Sequence, residues 1–149
     1  MNNVSSPSIV VWRGFAFENV CFNHIDSIKK ALGISGVSTK QSAWSKHEDN
    51  GDGTQIDLII ERNDNIVNMC EIKFCGDEFS VDKSYDRILR NRCSVLQKHI
   101  PKKCAIRSTL ITTYGLKENE YKWDFANVIT MDNLFEHQGR VGNGIFGFQ

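Results

Sequence analysis

Gly53 to Phe74 reads GTQIDLIIERNDNIVNMCEIKF, and where its two acids fall decides the fold. Asp57 sits among Ile56, Leu58, Ile59 and Ile60, while Glu71 and Lys73 sit in a second apolar run that holds Ile72 and Phe74. Between the runs lie Asn63, Asp64 and Asn65, three turn-favouring residues, so the stretch predicts a β-hairpin with a three-residue loop. In that register Ile56 pairs with Ile72, Leu58 with Cys70 and Ile60 with Asn68 on a mostly apolar face, and Asp57 falls opposite Glu71 on the other. A slip of one residue sets Asp57 against Cys70 and mixes the faces. Opposed like charges destabilise a hairpin, and burying them costs more unless a cation compensates. An arbitrary Asp and Glu in a hairpin most often lie on a solvated face. Here Lys73, two residues after Glu71, emerges on the same face as the acids, so two carboxylates and an amine converge.

A chain of 149 residues supports one domain, and 40% hydrophobic with 24% charged residues is ordinary for a globular one. The expected organisation is a tail or linker remnant at 1–11, a domain at 12–137 and a Gly-rich flexible tail at 138–149. No apolar run approaches the roughly 20 residues of a membrane helix, and MNNVSSPS does not read as a signal peptide. Five cysteines without CxxC spacing argue for reduced thiols in a cytoplasmic protein and against zinc.

Net charge is zero, but its distribution is uneven. Residues 48–82 hold ten acids against Arg62 and Lys73, net −8, whereas residues 83–107 hold eight bases against Asp86, net +7. An acidic centre beside a basic segment suits a phosphate backbone; a helix with a solvated basic face explains the second segment equally well.

Around the hairpin, Phe17, Cys21, Ile25, Ile28 and Leu32 repeat at helical spacing over 14–32, and Gly33 stops the run. Glu18 falls at the edge of that apolar stripe. Residues 36–47 read as a first strand. After Gly76, Ser80 is the expected cap of a second helix that runs to about His99 before Pro101. That helix sets Tyr85, Ile88 or Leu89, Cys93 and Leu96 on one side and Lys83, Arg87, Arg90 and Ser94 on another. Residues 104–113 and 127–131 read as strands, and Asp132 as the cap of a last helical turn at 133–137. Trp12, Trp44 and Trp123 read as core or rim aromatics. The order is a mixed α/β sheet flanked by helices.

Asp57, with Glu71-Ile72-Lys73, resembles the D…ExK signature of the PD-(D/E)XK nuclease superfamily, whose restriction-endonuclease-like core is αβββαβ. Glu18, Asp57, Glu71 and Lys73, with Lys83, Arg87 and Arg90 behind them, fill that family's places in order, although Ile56 stands where the motif has proline. The text WRGFAFENVCFNHIDSIKKALGI, the hairpin, TLITTYGLKENEY and NVITMDNLF resembles more narrowly the C-terminal domain of unknown function of archaeal-type AAA ATPases, also found in Bacteroidetes. No GxxxxGK[ST] P-loop is present, so any such ATPase module lies outside this chain.

The resemblance implies a Mg²⁺- or Mn²⁺-dependent endonuclease acting on DNA. Asp57, Glu71, the Ile72 carbonyl and Glu18 are then the expected metal ligands, Lys73 the catalytic lysine, and Lys83, Arg87 and Arg90 the DNA-binding residues. Two other readings stay open: a non-catalytic module docking to nucleic acid or to an ATPase, and a small regulatory, antitoxin-like interaction protein.

Overall fold

The hairpin forms in the expected register. In the computed structural model, which describes residues 7–46 and 54–135, β2 (Thr54–Arg62) and β3 (Ile66–Lys73) are antiparallel, with Leu58 opposite Cys70, Ile60 opposite Asn68 and Glu61 opposite Val67. The three-residue loop closes with Asn65 in the left-handed region, φ 66°, a conformation that asparagine tolerates. Arg62 pins the loop by donating to both carboxylate oxygens of Asp64, at 3.0 and 2.6 Å.

β1 (Thr39–Lys46) pairs antiparallel with β2, and beyond β3 the chain crosses through α3 (Lys83–Gln97) to β4 (Ala105–Thr112), which lies parallel to β3. β5 (Asn127–Thr130) adds parallel to β4, giving a five-stranded mixed sheet in the order β1-β2-β3-β4-β5. The αβββαβ order is present with one change at its start. The amphipathic run expected as one helix is two, α1 (Pro7–Asn23) and α2 (Ile25–Leu32), broken at His24, whose Nδ1 lies 2.8 Å from the Val20 carbonyl. α1 begins at Pro7, inside the stretch expected as a tail. Gly33 ends α2 as expected, at φ 75°, its N–H directed to the Lys29 and Lys30 carbonyls.

Both faces of the sheet are covered. Phe17, Cys21 and Ile28 pack on Leu58, Ile60, Cys70, Ile72, Ile111 and Ile129 on one side. Leu89 and Leu96 of α3, with Val81 and Phe125, pack on Ile56, Ile59, Val67, Met69 and Leu110 on the other. Ile56 therefore does not share a face with Leu58 and Ile72, contrary to the alternation read from the hairpin alone. Between Ser42 and Trp44, β1 advances two residues while β2 advances three, from Ile59 to Ile56, so β2 carries a bulge at 57–58. A bulge inserts one unpaired residue and re-aims its side chain. That residue position is where Asp57 sits.

Two caps differ from expectation. Asp82, not Ser80, caps α3, accepting from the Tyr85 N–H at 2.8 Å. The final helix at 131–135 is capped by Thr130 and Asn133 reciprocally, not by Asp132: Asn133 Oδ1 accepts from Thr130 N–H at 2.9 Å, and Thr130 Oγ1 from Asn133 N–H at 3.3 Å. All five cysteines are free thiols. No described helix is long and apolar enough to cross a membrane.

Candidate functional site

Asp57 stands where β2 leaves its ladder with β3. The last paired residues of the hairpin are Leu58 and Cys70, and one step further the Asp57 carboxylate replaces a backbone carbonyl, Oδ2 accepting from the Ile72 N–H at 2.9 Å. Asp57 is thus not the simple cross-strand partner of Glu71 that an unbroken ladder predicts. Among the described residues its other oxygen is held by Gln55 Nε2 alone, at 3.5 Å. The exit of β3 is fixed from β4: Thr112 Oγ1 donates to the Lys73 carbonyl at 2.8 Å, and Thr113 Oγ1 accepts from the Cys75 N–H at 3.0 Å.

Glu71 is fully buried on the face that α3 covers. Its Oε1 accepts from the Tyr85 hydroxyl at 2.8 Å and forms an ion pair with Arg92, while Oε2 is buried with no hydrogen-bond partner among the described residues. Burial pushes the Glu71 carboxyl above its ordinary range; Arg92 and the Tyr85 bond pull it back, Asp57 pushes it further and Lys73 opposes. The Tyr85 phenol is raised in turn, by burial first and then by Glu71. Lys73 Nζ lies 5.2 Å from the centroid of the Tyr85 ring, a cation–π arrangement.

Glu18 joins this centre from α1. Burial raises its carboxyl, Asp57 adds to the rise and Lys73 opposes it. Cys21, one turn further along α1, is pushed up to about 12 by burial and then by the charges of Glu18 and Asp57. Glu18 and Glu71 thus each feel the charges of Asp57 and Lys73, yet among the described residues no three His, Cys, Asp or Glu side chains converge as metal ligands. Glu18 is grouped with the site by charge, not as a converged ligand.

Of the three basic residues expected on α3, all are exposed, but Arg90 donates to both oxygens of Asp86 at 3.1 and 3.0 Å. The outer side of α3 borders an open groove of about 730 Å³, lined by Arg90, Cys93, Ser94, Gln97, Lys98 and Lys102. Trp123 is 82% exposed and carries Lys122 Nζ over its ring at 5.1 Å, whereas Trp44 is partly buried and stacks edge-on with His99; the Trp12 side chain lies outside the described residues.

Sequence reasoning missed Arg92, the residue in closest contact with Glu71. The signal was present: Tyr85, Leu89, Arg92 and Leu96 follow one another at helical i, i+4, i+7, i+11 spacing, so Arg92 interrupts an otherwise apolar stripe. An arginine on a core-facing stripe calls for a buried acid to meet it.

No family model matches the chain, and no curated protein does. A solved crystal structure of a protein of unknown function, AF1548, is similar with a TM-score of 0.52 at 17% identity, over 80% of this chain. The match spans 66% of that protein's length, and at this identity it speaks to the fold alone.

Proposed function

We propose that this chain is a divalent-cation-dependent nuclease domain that hydrolyses phosphodiester bonds in DNA. The observation that supports it most is Glu71 Oε2, a buried carboxylate oxygen with no hydrogen-bond partner among the described residues, on a carboxyl that feels the charges of Asp57 and Lys73 of the same D…ExK hairpin. An orphaned buried acceptor calls for an ion or a water. The donors at hand, the Asp57 and Glu71 carboxylates and the Ile72 carbonyl, are oxygens, a set suited to Mg²⁺ or Mn²⁺ with water completing the shell. Glu18 would reach such an ion through water.

A cation held there supplies a bound water of lowered pKa and neutralises charge on the phosphate. Lys73, held over the Tyr85 ring, orients the attacking water and offsets charge on the nonbridging oxygens. The water oxygen bonds to phosphorus as one ester P–O bond breaks; the water's proton leaves to solvent and the departing alkoxide is protonated. Lys83 and Arg87, exposed on the first turn of α3 and the turn after it, grip the backbone without reading bases. Arg90 contributes less because Asp86 holds it.

A second reading has one observation in its favour: Arg92 already balances Glu71, so the fold stands without a cation. The protein is then a non-catalytic module binding nucleic acid or docking to an AAA-type ATPase. Incubation with supercoiled, linear and branched DNA in Mg²⁺, Mn²⁺ and EDTA separates the two. The nuclease reading expects cleavage that EDTA and Asp57→Ala both abolish; binding without cleavage in every metal supports the module.

A further inference from the structure

Arg92 and Tyr85 approach the same oxygen of Glu71. A guanidinium that serves only to neutralise a carboxylate does so best by two parallel N–H bonds, one to each oxygen. Arg92 instead bonds Oε1 through one nitrogen, and the Tyr85 hydroxyl takes the same oxygen at 2.8 Å. Two donors fill the two lone pairs of Oε1. Oε2 stays buried and unpartnered, although the guanidinium that could have bridged to it is already in contact with its carboxylate.

The two donors are themselves held in place. The Tyr85 ring packs edge-on against Phe79 at 5.2 Å, lies under Lys73, and its backbone N–H is tied to the Asp82 cap. Leu89 and Leu96, a turn either side of Arg92 on the same stripe, anchor α3 to the sheet. The carboxylate rotation is therefore set by α3, an element that carries none of the expected metal ligands.

We propose that Tyr85 and Arg92 are positioning residues, which together occupy Oε1 of Glu71 and thereby present Oε2 to a divalent cation. This rests on the metal centre proposed above, and α3 thus becomes the support for a site otherwise built on the hairpin. Partners that orient a metal-binding carboxylate are expected to matter by 10- to 100-fold in affinity.

The test is Mn²⁺ binding to the full chain without nucleic acid, followed by calorimetry and by the resonance of free Mn²⁺, for wild type, Tyr85→Phe, Arg92→Gln, Arg92→Lys and Ile28→Ala. Tyr85→Phe removes one hydroxyl and no charge, and is expected to weaken binding about 10-fold or more. Arg92→Gln is expected to weaken it as well, and Arg92→Lys to restore most of the loss. Ile28→Ala, on α2 across the sheet from α3, lowers the melting temperature through core packing but leaves the affinity of the folded protein unchanged. If Arg92→Gln does not fold, Tyr85→Phe decides. Wild-type affinity in Tyr85→Phe overturns the proposal, and so does tighter binding in Arg92→Gln, which would make Arg92 a rival of the cation for Glu71. A wild type that binds no Mn²⁺ overturns the metal centre and the positioning role together. A wild type that binds Mn²⁺, loses it in Tyr85→Phe and cuts no DNA supports the positioning role and ends the nuclease reading.

Discussion

β3 buries two polar side chains three residues apart, on opposite faces of the sheet, and resolves them in opposite ways. Asn68 faces α1 and α2, is fully buried and is satisfied on both ends: its Nδ2 donates to Thr109 Oγ1 at 3.1 Å and its Oδ1 accepts from Arg62 at 3.2 Å. Glu71 faces α3, is equally buried, is ionisable, and keeps one oxygen without a hydrogen-bond partner among the described residues. A fully satisfied network around a neutral side chain fixes strand pairing at modest cost, whereas a buried acid with a missing partner is held at a cost that the surrounding fold must offset. The first arrangement is what structure alone requires. The second is the arrangement on which the proposed metal centre rests.

The largest test of that contrast is Asp57→Ala. If the Glu71 centre is a reaction site, cleavage is expected to fall about 10³-fold or more, since the charge stabilisation by a held cation amounts to several kcal/mol. In EDTA the same change loses the hydrogen bond to Ile72 N–H, about 1 kcal/mol, offset by relief of repulsion from Glu71 and Glu18. Melts in EDTA should therefore change little; a large destabilisation would make Asp57 structural and erase the difference between the two faces.

Asn68→Leu should do the reverse. It strands the Thr109 hydroxyl and one Arg62 bond, costing about 2 kcal/mol in a urea melt, with no effect on metal dependence. A loss of Mn²⁺ affinity in this variant would break the assignment of Asn68 to structure.

An orphaned oxygen is not by itself a site, and Asp124 sharpens the point. Its Oδ2 is also buried with no hydrogen-bond partner assigned among the described residues, and its carboxyl is pushed up to about 6, by burial first and then by the neighbouring Asp86 carboxylate, through side-chain hydrogen bonding and charge. A folded-state value above the ordinary one stabilises the protein below about pH 4 and loses that contribution as pH rises through 6. Asp124→Asn is thus expected to melt no higher than wild type at pH 4 and higher at pH 7.5. A bound metal at Asp124 would give the opposite trend.

The smallest effects are expected on the surface. If phosphates are led to Glu71 along the start of α3, Lys83→Ala and Arg87→Ala each weaken DNA binding alike on all sequences and reduce the salt slope by about one, with Arg90→Ala doing less because of Asp86. Equal losses at all three would show that the Asp86 pair opens on binding.

The hairpin was legible because its cause is local. Apolar alternation and an Asn-Asp-Asn turn permit one register, and Leu58 opposite Cys70 and Ile60 opposite Asn68 follow from it. The helix expected between Ser80 and His99 forms likewise, as α3, because its apolar residues recur at helical spacing, whereas the parallel pairing of β4 with β3 was not read from the sequence. The bulge at 57–58 was not legible from the hairpin, because it appears only in how β2 pairs with β1, which the pattern within the hairpin does not constrain. It is the bulge that moves Ile56 to the α3 face and that releases Asp57 from the ladder to cap Ile72.

From sequence alone come the mixed α/β order, the grouping of Asp57, Glu71 and Lys73 on one hairpin, and the uneven charge, since each depends on residues near one another in the chain. Tertiary structure alone decides that Glu71 is buried under α3, that Tyr85 and Arg92 take one of its oxygens, and that the other is left bare. Arg92 stands twenty-one residues beyond Glu71. A contact at that separation is made by how α3 settles on the sheet, and the burial that gives the bare oxygen its energetic cost exists only once both layers have closed.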